Sequence, residues 1–285
     1  MQIAANKTIE PDISLEFREL LEFKYGIALE AKKSTLFETR LSVLMVLLRC
    51  TSELDLLAKL KNNSEQIIAE KVCDAFATIK TSWFRDKDIW GEIENKILPE
   101  LADSVVNNGR KIRAWSCGCS TGQEPYSLAM IAAGNKTIMP TPEAKEQNIA
   151  ILATDVSNAA LKIARNAEYS RISLFREKID KSRLHYFDKQ GNIYKLKPEI
   201  KQLSVFARLN LVDDFSYLGP FHIVMCRNLL TNFTQNFWRS FLERMSKVMC
   251  PGGYLILGAQ EWIFGDNEKF TMIEGHNCLY YRFNG

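Results

Sequence analysis

The chain has none of the long apolar runs that a membrane demands. Its longest strongly apolar stretch, Leu41 to Leu48, falls far short of the roughly 20 residues of a bilayer-spanning helix. The opening MQIAANKTIEPDIS has no secretory apolar core, so the expectation is a soluble, cytoplasmic protein without membrane insertion. Blocks of like charge are also missing. With 37 Lys+Arg against 34 Asp+Glu, the formal charge of +3 is dispersed along 285 residues, and nucleic acid is not the expected partner. Histidine is scarce, and His185, His222 and His276 stand in no recognisable motif, which removes the anchor of a Ser/His/Asp or Cys/His centre. The seven cysteines have no framework spacing; Cys117 and Cys119 form the one close pair, and no second cluster completes a zinc site. Reduced thiols packed in the core, and no metal, are expected. What remains is an ordinary globular composition, 46% hydrophobic and 25% charged, in a chain long enough for two domains or one large one.

Residues 1 to about 98 read as helical throughout. Apolar residues recur at spacings of three and four in Leu15, Leu20, Phe23, then Leu36, Leu41, Leu44, Leu48, then Leu54, Leu57, Leu60. Asp12, Ser34, Thr51 and Ser64 mark helix starts, each able to accept from unpaired backbone donors. Pro99 and the turn Asn107-Asn108-Gly109 are expected to separate this part from the rest. The domain division read from the sequence is 1–90 helical and 91–285 mixed, with a small β-containing insertion at 170–202 around the Gln190-Gly191-Asn192 turn.

From residue 111 strands alternate with helices, the grammar of βαβ units around a parallel sheet. Strands are expected at Ile112 to Cys117, Ile149 to Thr154 and Phe221 to Cys226, with helices at Glu124 to Ala133, Asn158 to Ala167 and Gln235 to Met249. Pro251-Gly252-Gly253 then turns the chain into a strand from Tyr254 to Gly258, and Phe270 to Ile273 with Cys278 to Phe283 closes the sheet as an antiparallel pair.

The first strand runs into Gly118-Cys119-Ser120-Thr121-Gly122-Gln123-Glu124-Pro125, a glycine-bearing loop ahead of a helix that Pro125 suits. In a doubly wound sheet this is where a nucleotide-like cofactor lies. The spacing is not G-x-G-x-x-G, and Glu124 stands where a pyrophosphate needs donors without negative charge, so a zwitterionic or cationic ligand fits better than NAD. The second strand ends in Asp155, which is placed either to hold ribose hydroxyls or to cap the next helix. S-adenosylmethionine needs a ribose partner, an acidic counterpart for its amino group and an apolar adenine slot, and this layout supplies all three.

The segment Trp115 to Ser127, WSCGCSTGQEPYS, is similar to the cofactor loop of the CheR-type chemotaxis protein-glutamate O-methyltransferases. Four further segments agree in order: Thr81-Ser82-Trp83-Phe84-Arg85, Ala153-Thr154-Asp155-Val156, Cys226-Arg227-Asn228-Leu229-Leu230 and Pro251-Gly252-Gly253-Tyr254-Leu255. The resemblance spans from about Phe17 to the C-terminus. It implies an N-terminal all-helical domain joined to a doubly wound, Rossmann-like class I methyltransferase sheet with a small antiparallel β insertion. It further implies cofactor contacts from Thr81, Arg85, Glu124, Asp155, Asn210, Leu211, Arg227 and Asn228, with Gly118 and Gly122 shaping the loop. The implied cofactor is S-adenosylmethionine, the product S-adenosylhomocysteine, and the implied partner the cytoplasmic helical bundle of a chemoreceptor.

The chain departs from the family pattern at Ile79, where an asparagine is usual, and at Asn232, where a tyrosine stands beside the transferred methyl. Gln123 replaces an acidic residue, and Gly258-Ala259-Gln260-Glu261 replaces Gly-His-Ser-Glu. These changes leave open a different acceptor, or a binding module without turnover. Transfer to a glutamate needs no general base, because the nucleophile titrates near 4.3 and is already ionised. Arg85 is the expected substrate-steering residue, its guanidinium pairing a carboxylate in a fork, unless it bridges to Asp86 or Asp88. Asn232 is expected to offer the acceptor a hydrogen bond. The first ninety residues are nearly balanced in charge; a local basic cluster of Lys32, Lys33 and Arg40, or simply a solvated helix face, is expected there.

Overall fold

The computed structural model describes residues 11–25, 34–62, 66–76, 81–139, 147–176, 179–229, 233–265 and 267–285. Ile79, Asn232, Lys32, Lys33 and Ser64 lie outside these residues. The early three-and-four periodicity folds as α1 (Pro11–Tyr25), α2 (Ser34–Leu48), α3 (Glu53–Asn62) and α4 (Gln66–Phe76). Their apolar stripes meet in one core built from Phe17, Leu21, Leu41, Leu44, Leu60 and Phe76 among others. Each such side chain removed from water contributes about 1.5–3 kcal/mol. The start of α3 is shifted by one residue from the expected cap. Ser52 Oγ accepts from Asp55 N at 3.1 Å, while Thr51 N donates to the Asp55 carboxylate at 2.9 Å, a reciprocal arrangement close to a capping box.

Pro99 does not interrupt the chain as expected. α5 (Lys87–Glu92), a π-turn at Ile93–Ile97, α6 (Leu98–Leu101) and a second π-turn at Ala102–Val106 run on as one helical segment. Pro99 sits in the first turn of α6, where a missing N–H is tolerated. Only Asn107 to Gly109, with Gly109 at φ +72°, ends it.

The sheet contains β1 (Ile112–Cys117), β2 (Ile149–Asp155), β6 (Ser204–Arg208), β7 (Phe221–Cys226), β8 (Met249–Leu257), β9 (Phe270–Gly275) and β10 (Cys278–Phe283). Its order is β6-β2-β1-β7-β8-β10-β9, parallel from β6 to β8, with β10 antiparallel to β8 and β9 antiparallel to β10. Strand alternation divides the core between two faces. Ile112, Ala114, Ile223, Met225 and Ile256 face one cluster, and Trp115, Cys117, Val224, Cys226 and Leu257 the other. The crossing helices are α7 (Gln123–Gly134), α8 (Asn158–Asn166) and α11 (Gln235–Ser246). A three-stranded antiparallel sheet of β3 (Glu168–Ser170), β5 (Ile193–Leu196) and β4 (Phe187–Gln190) lies between α8 and β6, with α9 (Arg171–Arg176) and α10 (Pro198–Lys201) beside it.

Two expectations are corrected here. Pro251-Gly252-Gly253 is not a turn leading into a strand: β8 already begins at Met249, and α11 stops at Ser246. Phe221 pairs with Met249 but Ile223 with Tyr254, so these residues form a bulge, where proline's missing donor does no harm. Strand β6 was not anticipated; its run Ser-Val-Phe-Ala-Arg is only five residues long, and it is paired in parallel with β2. The cysteines are all free, with Cys73, Cys117, Cys119 and Cys226 buried. No helix among the described residues is long and apolar enough to cross a membrane.

Candidate functional site

Five parallel strands deliver their carboxyl ends to one edge of the sheet. The chain passes outward from β1 to β2 and β6, then returns to β7 and β8, so β1 and β7 flank the point where the winding reverses. In open α/β sheets ligands bind in the crevice at that point.

The loop after β1 passes three times through left-handed backbone. Gly118 has φ +67°, and a Cβ there would stand 2.7 Å from Leu229 Cδ2; Gly122 has φ +94°, and its Cβ would stand 2.9 Å from Ala164 Cβ. Neither position admits a side chain without displacement. Ser120, also left-handed at φ 50°, donates its N–H to Asp155 Oδ2 at 2.8 Å, and Ser157 N donates to Asp155 Oδ1 at 2.9 Å. Asp155 is thereby held at the end of β2 with lone pairs to spare. Burial raises its pKa, against the pull of those N–H donors. From the small sheet, Tyr169 donates its hydroxyl to Thr121 O at 2.8 Å. Gln123 is turned inward, accepting from Thr121 Oγ1 at 2.7 Å.

Glu124, in the first turn of α7, accepts from Ser116 Oγ at 2.7 Å and faces Arg227 Nη1 at 3.4 Å. Burial pushes its carboxyl up, and the Arg227 charge opposes this. Arg227 is buried at the end of β7. Its Nη2 donates to Arg85 O at 2.6 Å and to Asp86 Oδ2 at 2.8 Å, and its guanidinium lies 5.5 Å from the Trp90 ring centroid. Asn228 follows at φ 58°, its N–H donating to Glu261 Oε2 at 2.6 Å, and Gly258 N donates to the same oxygen at 2.8 Å.

Of the other expected residues, Thr81 is half-buried two positions before Trp83. Trp83 packs edge-on against Tyr169 and Phe187, with ring centroids 4.9 and 5.5 Å away. The Arg85 carbonyl takes both Arg227 Nη2 and Trp90 Nε1, the latter at 2.7 Å. Asp86, the expected alternative partner of Arg85, forms an ion pair with Arg227. After β6, Asn210 Oδ1 accepts from Val212 N at 3.2 Å, and Leu211 is buried with its carbonyl on Arg244 Nη2 at 2.7 Å. Arg40, expected in a basic cluster, donates to Phe76 O at 2.8 Å and ties α2 to the end of α4. His222 Nδ1 accepts from Arg113 N at 3.0 Å, away from this edge; its burial holds its pKa down.

Sequence reasoning missed Asp86, Ser116, Trp90 and Glu261 as members of this cluster. Three sit within or beside the quoted motifs, but nothing local says which cation or N–H each carboxylate meets.

The family model described as CheR methyltransferase, SAM binding domain, matches residues 79–279. The chain belongs to the CheR methyltransferase family. It is 34% identical over 279 residues to a chemotaxis protein methyltransferase of Vibrio parahaemolyticus, covering 96% of this chain and 98% of that one. It is 35% identical over 268 residues to chemotaxis protein methyltransferase 1 of Pseudomonas aeruginosa, covering 93% and 96%. A chemotaxis protein methyltransferase of Borreliella burgdorferi is 29% identical over 259 residues, covering 87% of each chain.

The cofactor of this CheR-family methyltransferase is S-adenosylmethionine, and the residues present fit it. Among the described residues, Arg227 Nε and Ser120 Oγ are buried without a hydrogen-bond partner at this edge. Beside them lie two half-buried carboxylates, one guanidinium and a glycine-lined approach. A ligand carrying an ammonium, a carboxylate and ribose hydroxyls answers that donor and acceptor set.

Proposed function

We propose that this protein transfers a methyl group from S-adenosylmethionine to glutamate side-chain carboxylates of chemoreceptors, acting in the cytoplasm as an adaptation enzyme of chemotaxis. The observation that carries this reading is the near end-to-end similarity to proteins named chemotaxis protein methyltransferases, at 34 and 35% identity.

Bound S-adenosylmethionine supplies an activated methyl group on a sulfonium. In this reading Asp155 holds the ribose, Glu124 faces the methionyl ammonium, and Arg227 with Asn228 anchors the amino-acid end. Thr81 and Arg85 close the site from the linker; Asn210 and Leu211 border the adenine; Gly118 and Gly122 give the loop its close approach. The acceptor carboxylate is ionised at neutral pH, so no residue is needed to take a proton. The chain's tasks are to orient and to exclude water. Arg85 steers the acceptor and must hold it loosely, because stabilising the ionised ground state more than the charge-dispersed transition state slows transfer. By its motif position Asn232 is assigned a hydrogen bond to the acceptor. Residues 1–90 form the unit that meets the receptor's helical bundle, and 91–285 the methyltransferase unit, with 170–202 as its insertion.

The test is incubation of the purified protein with methyl-labelled S-adenosylmethionine and chemoreceptor cytoplasmic fragments. Base-labile label on receptor glutamates is the expected result. Cofactor turnover on another acceptor, with receptors left unlabelled, overturns the glutamate assignment.

A further inference from the structure

Three consecutive residues at the end of β2 face three different surroundings. Asp155 faces the cofactor edge, gripped by Ser120 N and Ser157 N. Val156 packs against the core of the α1–α4 unit. Ser157 caps α8, accepting from Ala160 N at 3.1 Å, and donates its hydroxyl to Asp74 Oδ1 of α4 at 2.5 Å. Asp74 also accepts from Ala159 N at 3.5 Å, at the positive end of α8. A second tie runs alongside: Arg208, paired in register with Asp155, donates Nε to Val156 O at 3.2 Å and approaches Glu70 of α4 at 3.9 Å. The backbone N–H that holds Asp155 Oδ1 and the hydroxyl that holds Asp74 thus belong to the same residue, Ser157.

We infer that Asp74 is a positioning residue for Asp155: through Ser157 and the packing of Val156, the helical unit sets the orientation of the carboxylate that receives the cofactor ribose. The inference rests on the proposed ribose role of Asp155. Its consequence is a coupling between two units of the chain. Displacement of α4 by a bound partner changes cofactor affinity, and by linkage the cofactor changes affinity for that partner by the same factor.

The test reads hydroxyl recognition rather than overall affinity. S-adenosylhomocysteine and its 2′,3′-dideoxy analogue are titrated calorimetrically into the full-length wild type, Asp74→Ala, Ser157→Ala and the double variant. Wild type is expected to bind the parent about tenfold or more tightly than the analogue, as lost hydrogen bonds to a carboxylate require. Asp74→Ala, which removes the acceptor of the Ser157 hydroxyl, is expected to weaken the parent about three- to tenfold and leave the analogue nearly unchanged, with Ser157→Ala giving the same pattern and the double variant no more than either. Equal weakening of both ligands, no weakening, or additive losses in the double variant overturns the positioning role. A wild type that binds both ligands equally overturns the ribose reading beneath it.

Discussion

Asp86 and Arg227 are 141 residues apart in the chain, yet their charged atoms meet at 2.8 Å. The pair joins the linker ahead of α5 to the end of β7, and Asp86 also accepts from Ala259 N at 3.3 Å beyond β8. The guanidinium is 2% exposed and Asp86 30% exposed, so the pair spans the boundary between interior and solvent.

Asp86→Ala leaves Arg227 with Glu124 at 3.4 Å and the Arg85 carbonyl as its remaining acceptors. A buried cation that loses one partner destabilises strongly, and with two acceptors retained the expected loss is about 1–3 kcal/mol. Urea unfolding measures it, and an unchanged midpoint contradicts it.

Glu124→Gln keeps both contacts, since an amide can accept from Arg227 and donate to Ser116 Oγ. Burial raises the Glu124 pKa above its ordinary value of 4.5. For an acid with a raised folded-state pKa, the contribution to stability is fully present below the unfolded value and is lost as pH rises through the folded one. The stability of Glu124→Gln relative to wild type is therefore expected to climb as pH rises from below 4.5 through the raised value. Cofactor affinity should fall in the same variant, because the charge proposed to face the ammonium is gone. Denaturant titrations of both proteins across this range decide the first point, and calorimetry the second.

Gly118→Ala forces a side chain into left-handed backbone at φ +67° and against Leu229 at 2.7 Å. The expected loss is about 1–3 kcal/mol, the left-handed penalty plus a contact that Leu229 relieves in part. Thermal unfolding should show a lowered midpoint and calorimetry a weaker cofactor. Gly91→Ala, in α5 with open space at its Cβ, should be neutral or stabilising by up to about 1 kcal/mol.

Tyr169→Phe removes the hydroxyl that donates to Thr121 O at 2.8 Å while keeping the ring against Trp83. The buried carbonyl loses its donor, for an expected loss of about 1–2 kcal/mol. Hydrogen exchange in the loop 118–122 should accelerate more than in β1, showing that the small sheet steadies the loop.

Much of this protein is legible without coordinates because the signals are local. Apolar spacing of three and four writes α1 to α4, apolar runs between turns write β1, β2 and β7, and the glycines at 118 and 122 mark backbone that only glycine adopts easily. Where local rules mislead, as at Pro99 and Pro251-Gly252-Gly253, a π-turn beside one and a neighbouring strand at the other absorb what the rule forbids. Strand β6 is the converse, a short segment that the sequence reading passed over and that is paired along β2.

The site divides along the same line. Loop position and strand end single out Glu124 and Asp155 as candidates, and the family resemblance adds Arg227 and Asn228. Only the tertiary structure decides that Arg227 is brought to Asp86 as an ion-pair partner, that Glu261 gathers two backbone N–H groups, and that Asp74 reaches Ser157 from another helix. The reason is physical. A helix, turn or glycine conformation depends on residues within a few positions, so its determinants lie side by side in the sequence. Charge pairs and buried hydrogen bonds depend on which groups the packed core brings within about 3 Å and removes from water, and that distance exists only after the chain has folded.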